Sequence, residues 1–406
     1  MKENFHIFTL KNGLRCIHAR VKSDVARCAI TVNVGSRDEL SNQHAIAHFT
    51  EHAFFKGTSH RKAYQVNCRL ENLGGELNAF TTKEDTTVHA TIRKSDFSKA
   101  LDLLRDVLFF STFPQNEIEK EREVIADEIN MYRDTPSDFI YDEVEDLLFS
   151  NSELGHNILG TKLDLHHIGH SNIMEFYKRG YTIDQMVISS LGDFSPKHIE
   201  ALMERYFSDF TTPLRDFQRE TPKLNPVFDV RKTRHTHQTH AMLCSRAFSM
   251  DDDQRIPYAL LNNILGGPAA NSRLNIILRE KYGLTYSVDS SYTTYSDCGM
   301  AGIYFSSDKE NSERCLEIID SLLKELTQKP LTARQLSMAK KQFMSQMAIS
   351  QEGREGYMLS LGKSLLVHNQ VETMDEIYQK IQGVTSEEIL ESAQKVWGKY
   401  SLLMYV

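Results

Sequence analysis

Two histidines and a glutamate stand close together in the segment AIAHFTEHAFFKGT, residues 45–58, whose other positions are mostly apolar or small. His48 and His52 are four residues apart, so on a helix their imidazoles face the same way, one turn above the other. Neutral imidazoles in this arrangement suit Zn²⁺, which binds nitrogen ligands at about 2.0–2.1 Å. Glu51 borders the same point and could take a proton from water there. The spacing predicts a zinc site on a helix over residues 42–56, with a pair of packed core histidines as the plainer alternative.

A catalytic zinc site normally has three protein ligands and one open position, so a third ligand should exist. The segment PQNEIEKEREVIADEINMY predicts a helix from Pro114 to about Tyr132. On that helix Glu121 and Glu128 lie two turns apart and flank Ile125 on much the same face. A carboxylate on a buried stripe is costly unless it meets a cation or a metal. Both glutamates are therefore candidate ligands, although a solvated, highly charged helix would explain the same segment.

The rest of the chain predicts two similar α+β domains joined by a linker. Both halves contain a glycine, two strands and an amphipathic helix, as in LGGELNAFTTKEDTTVHATIRKSDFSKALDLLRDVL and YGLTYSVDSSYTTYSDCGMAGIYFSSDKENSERCLEIIDSLL. Residues 213–226 carry prolines and mixed charges without periodicity, which is typical of a linker. We expect a duplicated domain, residues 1–212 and 227–406, each with a mixed, mostly antiparallel sheet packed with helices. The second copy shows no counterpart of the His-rich helix.

Composition limits the classes of function. The chain has 406 residues, too many for one ordinary core, and its 40% hydrophobic and 25% charged content is that of a soluble globular protein. A net charge of −8 argues against a nucleic-acid partner, and no apolar run approaches the ~18 residues of a membrane span. The N-terminus shows no apolar signal region. Six cysteines without a CxxC pair favour reduced thiols and a cytoplasmic location, with disulfides left open.

Other histidines are interpreted without a metal. In RHTHQTH, residues 234–240, alternation along a strand puts His240 on the face opposite to the other two histidines, which indicates a solvated strand entry. His44 and His60 flank the paired histidines and are interpreted as surface residues. His156 is interpreted as a loop residue of the first domain.

These motifs together resemble the insulinase/pitrilysin family of zinc peptidases, and most closely the short-chain branch that includes mitochondrial processing peptidase. H-x-x-E-H inverts the order of the common zinc-peptidase motif and is the pattern of the inverzincins. Glu128 follows His52 by 76 residues, at the family's distance. Further matching stretches cover nearly the whole chain in order: GSRDE, LNAFTT, EREVIADEI, LGHNILGT, MVISSLGDF and LREKYGLTYSV.

The resemblance implies a metal centre with assigned roles. His48, His52 and Glu128 would be the ligands of one zinc ion per chain. Glu51 would be the general base that activates water, and Glu121 a supporting acid next to the ligands. The three ligand positions and the base carry no substitution relative to the family pattern.

The resemblance also implies residues that hold the substrate. Arg279 and Tyr286, seven residues apart, match the family's Arg/Tyr pair, whose implied role is to hold the substrate carbonyl and stabilise the oxyanion. Asn78, Ala79 and Phe80 match a strand edge to which family substrates add as an extra strand. Backbone hydrogen bonds at such an edge tolerate many sequences.

The implied function is a zinc-dependent endopeptidase acting on peptides or unfolded segments. Long-chain relatives close four such domains as a clamshell, so the two domains expected here would be half of one. We therefore expect a dimer that encloses a chamber. A homodimer is favoured because both residue sets occur in one chain, and a heterodimer with a sister chain stays open. The alternatives are a non-catalytic core or assembly subunit of the same fold and a metal-dependent hydrolase of another bond.

Overall fold

The computed structural model describes residues 5–234 and 236–406, which fold into two compact units. The first unit contains the residues up to Asn130 together with His156–Arg219 and Ser350–Thr373; the second contains Met131–Gly155, Glu220–Ile349 and Met374–Val406. The two units therefore interleave along the chain. The division into residues 1–212 and 227–406 stays a prediction.

The described residues form two sheets and a set of helices. The strands are β1 Phe5–Thr9, β2 Arg15–Arg20, β3 Val25–Val32, β4 Glu76–Thr81, β5 Thr86–Arg93, β6 Met186–Gly192, β7 Asp229–Lys232, β8 Thr239–Ala247, β9 Thr285–Thr294, β10 Gly299–Ser307 and β11 Ser401–Tyr405. The α-helices are α1 Ile46–Phe54, α2 Ala63–Glu71, α3 Phe97–Phe110, α4 Gln115–Arg133, α5 Pro136–Leu148, α6 Lys162–His167, α7 His170–Gly180, α8 Pro196–Phe207, α9 Arg255–Gly266, α10 Ser312–Gln328, α11 Ala333–Gln351, α12 Arg354–His368, α13 Met374–Gly383 and α14 Ser386–Trp397. Asn275–Lys281 is a π-helix.

The two sheets share one topology. The first unit has a six-stranded sheet in the order β1-β2-β6-β3-β5-β4, in which only β2 and β6 are parallel neighbours. The second unit has a five-stranded sheet in the order β7-β11-β8-β10-β9, in which only β7 and β11 are parallel. Without β1 the two sheets match strand for strand in chain order, neighbours and direction. The α+β class and the mixed, mostly antiparallel sheets are therefore confirmed.

In the second unit the position of the His-rich helix is filled by a helix that carries no histidine. Helices α1 and α2 connect β3 to β4, and α9 and the π-helix connect β8 to β9 in the same way. The sequence of α9, RIPYALLNNILG, has no histidine and buries Tyr258, Leu260, Leu261 and Leu265. An apolar stripe is sufficient to dock a helix on a sheet, so the position can be filled without the metal motif.

The predicted helices agree closely with the structure except at the His-rich segment. Helix α4 was expected from Pro114 to about Tyr132 and spans Gln115–Arg133. The helix expected over 42–56 is shorter, because Ala45 has φ 72° and α1 begins only at Ile46. Eight of the nine residues of α1 are buried, so this helix lies inside the first unit's core rather than on its surface.

The segment predicted as a linker contains no helix or strand among its described residues, yet its first part is fixed. Arg219 donates to Asp38 from Nε to Oδ1 at 2.9 Å and from a terminal nitrogen to Oδ2 at 2.7 Å. Arg215 donates to the backbone carbonyl of Asn33 at 2.7 Å. Asp38 belongs to the GSRDE stretch and is buried. The planar guanidinium of Arg219 thus donates two hydrogen bonds to a buried carboxylate. Residues 215–219 are thus held by other residues of the first unit.

All six cysteines have free thiols, and Cys68 is the one that is not buried. Burial raises the pKa of Cys28 and Cys244, so these thiols stay protonated and behave as small apolar side chains. Across residues 5–234 and 236–406, every helix is too short or too polar to cross a bilayer.

Candidate metal centre

Helix α1 starts at a position set by a residue outside it. Ala45 precedes the helix in a left-handed conformation, and its methyl side chain cannot accept a hydrogen bond from the first helical N–H groups. Instead the buried carboxylate of Glu39 accepts hydrogen bonds from the backbone N–H of Ala45 at 3.1 Å and of Ala47 at 2.9 Å. An acidic group at a helix N-terminus satisfies free donors and complements the helix dipole. This bond fixes where α1 begins and therefore where His48 and His52 point.

The structure brings His48, His52 and Glu128 together. The Nε2 atoms of His48 and His52 lie 3.8 and 3.7 Å from Oε2 of Glu128, and the two imidazole centroids are 4.5 Å apart. One ligand atom from each residue lies within 4.8 Å of the others. These separations are too long for hydrogen bonds, whereas ligand atoms around a tetrahedral zinc lie about 3.4 Å apart. Two imidazoles and one carboxylate in this arrangement fit a zinc ion with little movement.

The electrostatics favour the neutral form of His48. Burial and the neighbouring charge of His52 lower the pKa of His48 to about 3, so the imidazole keeps a free lone pair, as ligation requires. Burial raises the pKa of Glu51 above its ordinary value. Oε2 of Glu51 is buried and has no hydrogen-bond partner among the described residues. An unsatisfied buried oxygen next to a candidate metal site is a group that function, rather than packing, explains.

Glu121 orients His52. Nδ1 of His52 lies 2.8 Å from Oε1 of Glu121, and Nζ of Lys56 lies 2.5 Å from Oε2 of the same carboxylate. Burial acts to raise the pKa of Glu121, but the bonds from His52 and Lys56 outweigh it, so the carboxylate stays charged. When Nδ1 donates its proton to Glu121, Nε2 of His52 presents its lone pair toward Glu128. Sequence reasoning missed Lys56, although a lysine four residues after His52 was the available signal.

Residues Asn78, Ala79 and Phe80 lie in β4, which forms an edge of the first unit's sheet and, among the described residues, pairs with β5 alone. A cleft of about 310 Å³ lies next to this edge. Its lining residues come from α1, the turn after it, α2, β4 and α4: Glu51, His52, Phe55, Lys56, Asn67, Glu71, Leu77, Asn78, Ala79 and Glu121. The predicted strand edge and the predicted base therefore border one cleft, whereas Phe80 is not part of its lining.

Arg279 and Tyr286 lie side by side in the second unit. The guanidinium carbon of Arg279 is 5.5 Å from the centroid of the Tyr286 ring, and Tyr286 is 82% exposed. Arg279 belongs to the π-helix, and Tyr286 belongs to the edge strand β9. A π-helix is rare and often marks a functional position. The roles assigned to this pair stay predictions.

The remaining histidines have other partners. Nδ1 of His240 lies 2.8 Å from the Tyr304 hydroxyl, and His237 is exposed ahead of β8, whereas His235 lies outside the described residues. His60 is exposed and its Nδ1 lies 2.6 Å from a carboxylate oxygen of Asp106. His44 is partly exposed and packs edge-on against His156, with 3.7 Å between ring centroids.

Two family models match this chain. Residues 16–162 match the family model described as "Insulinase (Peptidase family M16)", and this range includes all the predicted metal ligands and the predicted base. Residues 167–343 match the model described as "Peptidase M16 inactive domain". Arg279 and Tyr286 lie in that second range.

Two relatives illustrate the similarity along the whole chain. The "Uncharacterized zinc protease YmxG" of Bacillus subtilis is 32% identical over 393 residues, which cover 96% of this chain and 95% of that protein. An "Uncharacterized zinc protease" of Rickettsia felis is 30% identical over 402 residues, which cover 98% of this chain and 96% of that protein. The similarity therefore includes both compact units.

Two solved structures share the fold. A "peptidase M16 inactive domain" from Pseudomonas fluorescens superposes with a TM-score of 0.92 at 19% identity, covering 99% of this chain and 97% of that one. A protease from Helicobacter pylori superposes with a TM-score of 0.90 at 20% identity, covering all of both chains. At these identities the likeness concerns the fold alone.

Proposed function

The chain belongs to the insulinase family, peptidase family M16, and from this we propose that it is a zinc-dependent endopeptidase that hydrolyses peptides or unfolded segments. The observation that carries the proposal is the convergence of His48, His52 and Glu128 beside Glu51. A zinc ion bound by the first three would polarise the scissile carbonyl and make water easier to deprotonate.

Glu51 is the proposed general base. Its carboxylate lines the cleft, and its buried Oε2 has no hydrogen-bond partner among the described residues, so a lone pair is free to accept a proton. In the proposed reaction Glu51 takes a proton from the attacking water and then delivers it to the departing amine nitrogen. The carbon–nitrogen bond breaks, the water oxygen stays on the new carboxyl group, and the glutamate returns to its starting state.

The neighbouring residues position the reacting groups. Glu121, charged and bonded to His52 and Lys56, keeps the imidazole in one tautomer and one orientation. The outer edge of β4 offers backbone donors and acceptors to an extended peptide, which would add as one more strand beside the cleft. Binding of this kind depends on the backbone and suits peptides or unfolded segments rather than folded proteins.

The proposal includes a homodimer that encloses the substrate. Each chain carries one metal centre in the first unit and one Arg279/Tyr286 pair in the second. The exposure of Tyr286 suits a role toward a molecule outside its own unit. We propose that the pair of one subunit holds the substrate carbonyl at the centre of the opposite subunit. A heterodimer with a sister chain is the competing arrangement.

The alternative function is that of a non-catalytic subunit with the same fold. The match to the "Peptidase M16 inactive domain" model favours it, but that match covers residues 167–343, and the proposed zinc ligands lie outside this range. The complete set of ligands and base argues for catalysis, and the buried Oε2 of Glu51, which has no hydrogen-bond partner among the described residues, supports that choice.

Zinc content, native mass and cleavage of an internally quenched extended peptide, measured on one purified sample, test the proposed activity. Glu51→Gln should retain zinc and lower the cleavage rate by about 10²–10⁴-fold, because the proton acceptor is lost. Glu123→Gln, an exposed glutamate of α4, is the matched control and should cleave normally. Stoichiometric zinc without cleavage of any peptide would support the non-catalytic alternative. Cleavage of another bond in place of a peptide bond would indicate a different hydrolase.

Complementation tests the shared site. An inactive Glu51→Gln chain is mixed with an inactive Tyr286→Phe chain under conditions that allow subunits to exchange. If sites are shared between subunits, half of the dimers are mixed and each has one intact site, so about a quarter of the wild-type activity should return. Demonstrated exchange with activity at background would refute the shared arrangement.

A further inference from the structure

A second cavity lies in the first unit, at the end of the sheet away from the candidate metal centre. It borders Asp24 just before β3, Arg93 at the end of β5 and Asp193 just after β6, and β3 lies between the other two strands in the sheet. Helix α1 follows the other end of β3, and the eight residues of this strand separate its two ends by roughly 25 Å. The cavity is therefore separate from the cleft beside Glu51.

The charges around this cavity are balanced, and two of them have no partner in the protein. Asp193 accepts hydrogen bonds from Lys94 and from Arg20, both at 3.2 Å, and these bonds lower its pKa, so this carboxylate is already neutralised. The side chains of Arg93 and Asp24 are exposed and make no ion pair or hydrogen bond with any residue in the described part of the chain. The cavity thus offers a ligand one cation and one carboxylate.

The remaining lining provides an aromatic wall and two helix starts. The rings of Phe194 and His198 stack with 5.7 Å between centroids and 30° between planes. Ser95 lies in the 3₁₀ turn that leads into α3, and Ser195 is the N-cap of α8, so the positive ends of two helix dipoles border the cavity. Its volume of about 580 Å³ exceeds that of the cleft beside Glu51 and lies within the range of about 300–1,000 Å³ seen for ligand pockets.

We propose that this cavity binds short peptides with free ends, about two or three residues long. Arg93 pairs with the terminal carboxylate, which the two helix starts also favour, and Asp24 pairs with the terminal ammonium group. A side chain of the peptide contacts the aromatic wall. A simple anion would leave the carboxylate of Asp24 unpaired beside it, whereas a zwitterion satisfies both charges. Such peptides are products that the proposed endopeptidase would release, so their biological meaning rests on that function, whereas their binding does not.

Isothermal titration calorimetry with the tripeptide alanyl-phenylalanyl-alanine tests the cavity. The full chain is used as the Glu51→Gln variant, so that the peptide stays intact. This protein should bind the free tripeptide about fivefold more tightly than the same tripeptide with an amidated carboxyl end or an acetylated amino end. A further Arg93→Gln change should remove the effect of amidation, and Asp24→Asn should remove that of acetylation. Lys197→Gln and Glu123→Gln, at exposed positions outside the lining, are the matched controls and should leave both effects unchanged.

The outcomes separate this inference from the proposed function. Absence of tripeptide binding, or binding that Arg93→Gln and Asp24→Asn leave unchanged, would overturn the cavity assignment, while peptide cleavage by the wild type would still sustain the endopeptidase. Binding of inorganic phosphate that Arg93→Gln abolishes, together with equal affinity for the free and the acetylated tripeptide, would indicate an anion site and overturn the role of Asp24. The expected losses of tripeptide binding, in a protein whose wild-type form cleaves no peptide, would sustain the cavity assignment and refute the endopeptidase.

Discussion

Helices α1 and α9 occupy the same place in two matching folds but bury different side chains. Each follows the second strand of the shared topology and precedes the third. Helix α9 buries Tyr258, Leu260 and Leu261, as a packing helix should, whereas α1 buries His48 and Glu51 among its apolar residues. An apolar stripe is sufficient to dock a helix at this place in the fold, and both helices have one, so the buried His48 and Glu51 of α1 are not required for docking.

Helices α4 and α11 also correspond in the two folds, and only α4 carries the candidate site residues. Helices α4 and α11 correspond in chain order: α4 follows α3, which comes after β5, and α11 follows α10, which comes after β10. Helix α4 contributes Glu121 and Glu128, whereas α11, ARQLSMAKKQFMSQMAISQ, contains no acidic residue. A metal centre of this kind needs both helices, because the imidazoles come from one and the carboxylates from the other. In the second unit α9 therefore carries no histidine pair and α11 carries no acidic residue.

The sharpest test of this difference is the loss of the carboxylate ligand. Glu128→Gln should weaken zinc binding by at least about 100-fold, because a neutral amide replaces a charged ligand. Metal content after dialysis and a competitive chelator titration measure the effect. Glu123→Gln on the same helix is the matched control and should bind zinc as the wild type does. If Glu128→Gln kept its zinc while Glu51→Gln lost it, the assigned roles would be wrong.

A smaller effect is expected from the residue that orients His52. Glu121→Gln should lower zinc affinity by about 10–100-fold, since the charged acceptor at 2.8 Å from Nδ1 is replaced by an amide. It also leaves the ammonium group of Lys56 without its carboxylate partner. The double variant Glu121→Gln/Lys56→Met should therefore recover folding stability but not zinc affinity. Unchanged zinc affinity in Glu121→Gln would show that this carboxylate is structural only.

Helices α1 and α9 should also differ in how much stability the protein loses when a buried side chain of the helix is changed. Leu261→Ala in α9 should lower the free energy of unfolding by about 2–5 kcal/mol, because it opens a cavity in the core. Glu51→Gln in α1, measured on metal-free protein, should change it by less than about 1 kcal/mol, since no hydrogen bond of Oε2 is lost. Denaturant unfolding of both variants measures the contrast. A large destabilisation by Glu51→Gln would mean that this glutamate is part of the packing.

The spacing of residues on a helix was enough to predict that His48 and His52 lie side by side. The start of α1 and the π-helix around Arg279 could not be predicted from the sequence. Positions four apart on a helix must share a face, so His48 and His52 could be paired from the sequence alone. The start of α1 could not be predicted, because it depends on Glu39, which lies outside the helix and bonds to its first backbone N–H groups. The π-helix that carries Arg279 was also missed, since its apolar pattern is that of an ordinary helix.

The turn that follows α1 is held in place by contacts with the carboxylate of Asp106. The buried carboxylate of Asp106 on α3 is 3% exposed and accepts hydrogen bonds from the Thr58 hydroxyl at 2.7 Å and from Arg61 at 2.6 Å. His60 lies at 2.6 Å from its other oxygen. Burial acts to raise the pKa of Asp106, but these bonds outweigh it and leave the pKa below its ordinary value. The first unit thus secures the end of α1 with an ionised group.

The last prediction follows from that lowered pKa. Asp106 is ionised in the folded protein at pH values where an unfolded aspartate, with a pKa of about 3.9, begins to take up a proton. Its contribution is therefore complete above that value and is lost as the pH falls through the lower pKa of the folded state. Asp106→Asn should lower the free energy of unfolding by about 1–3 kcal/mol near pH 7, where hydrogen bonds to a charged group are lost. The difference from the wild type should shrink below about pH 4, as urea unfolding of metal-free protein at several pH values would show. A difference that stayed constant from pH 7 to the acid limit would mean that Asp106 acts through its shape and not through its charge.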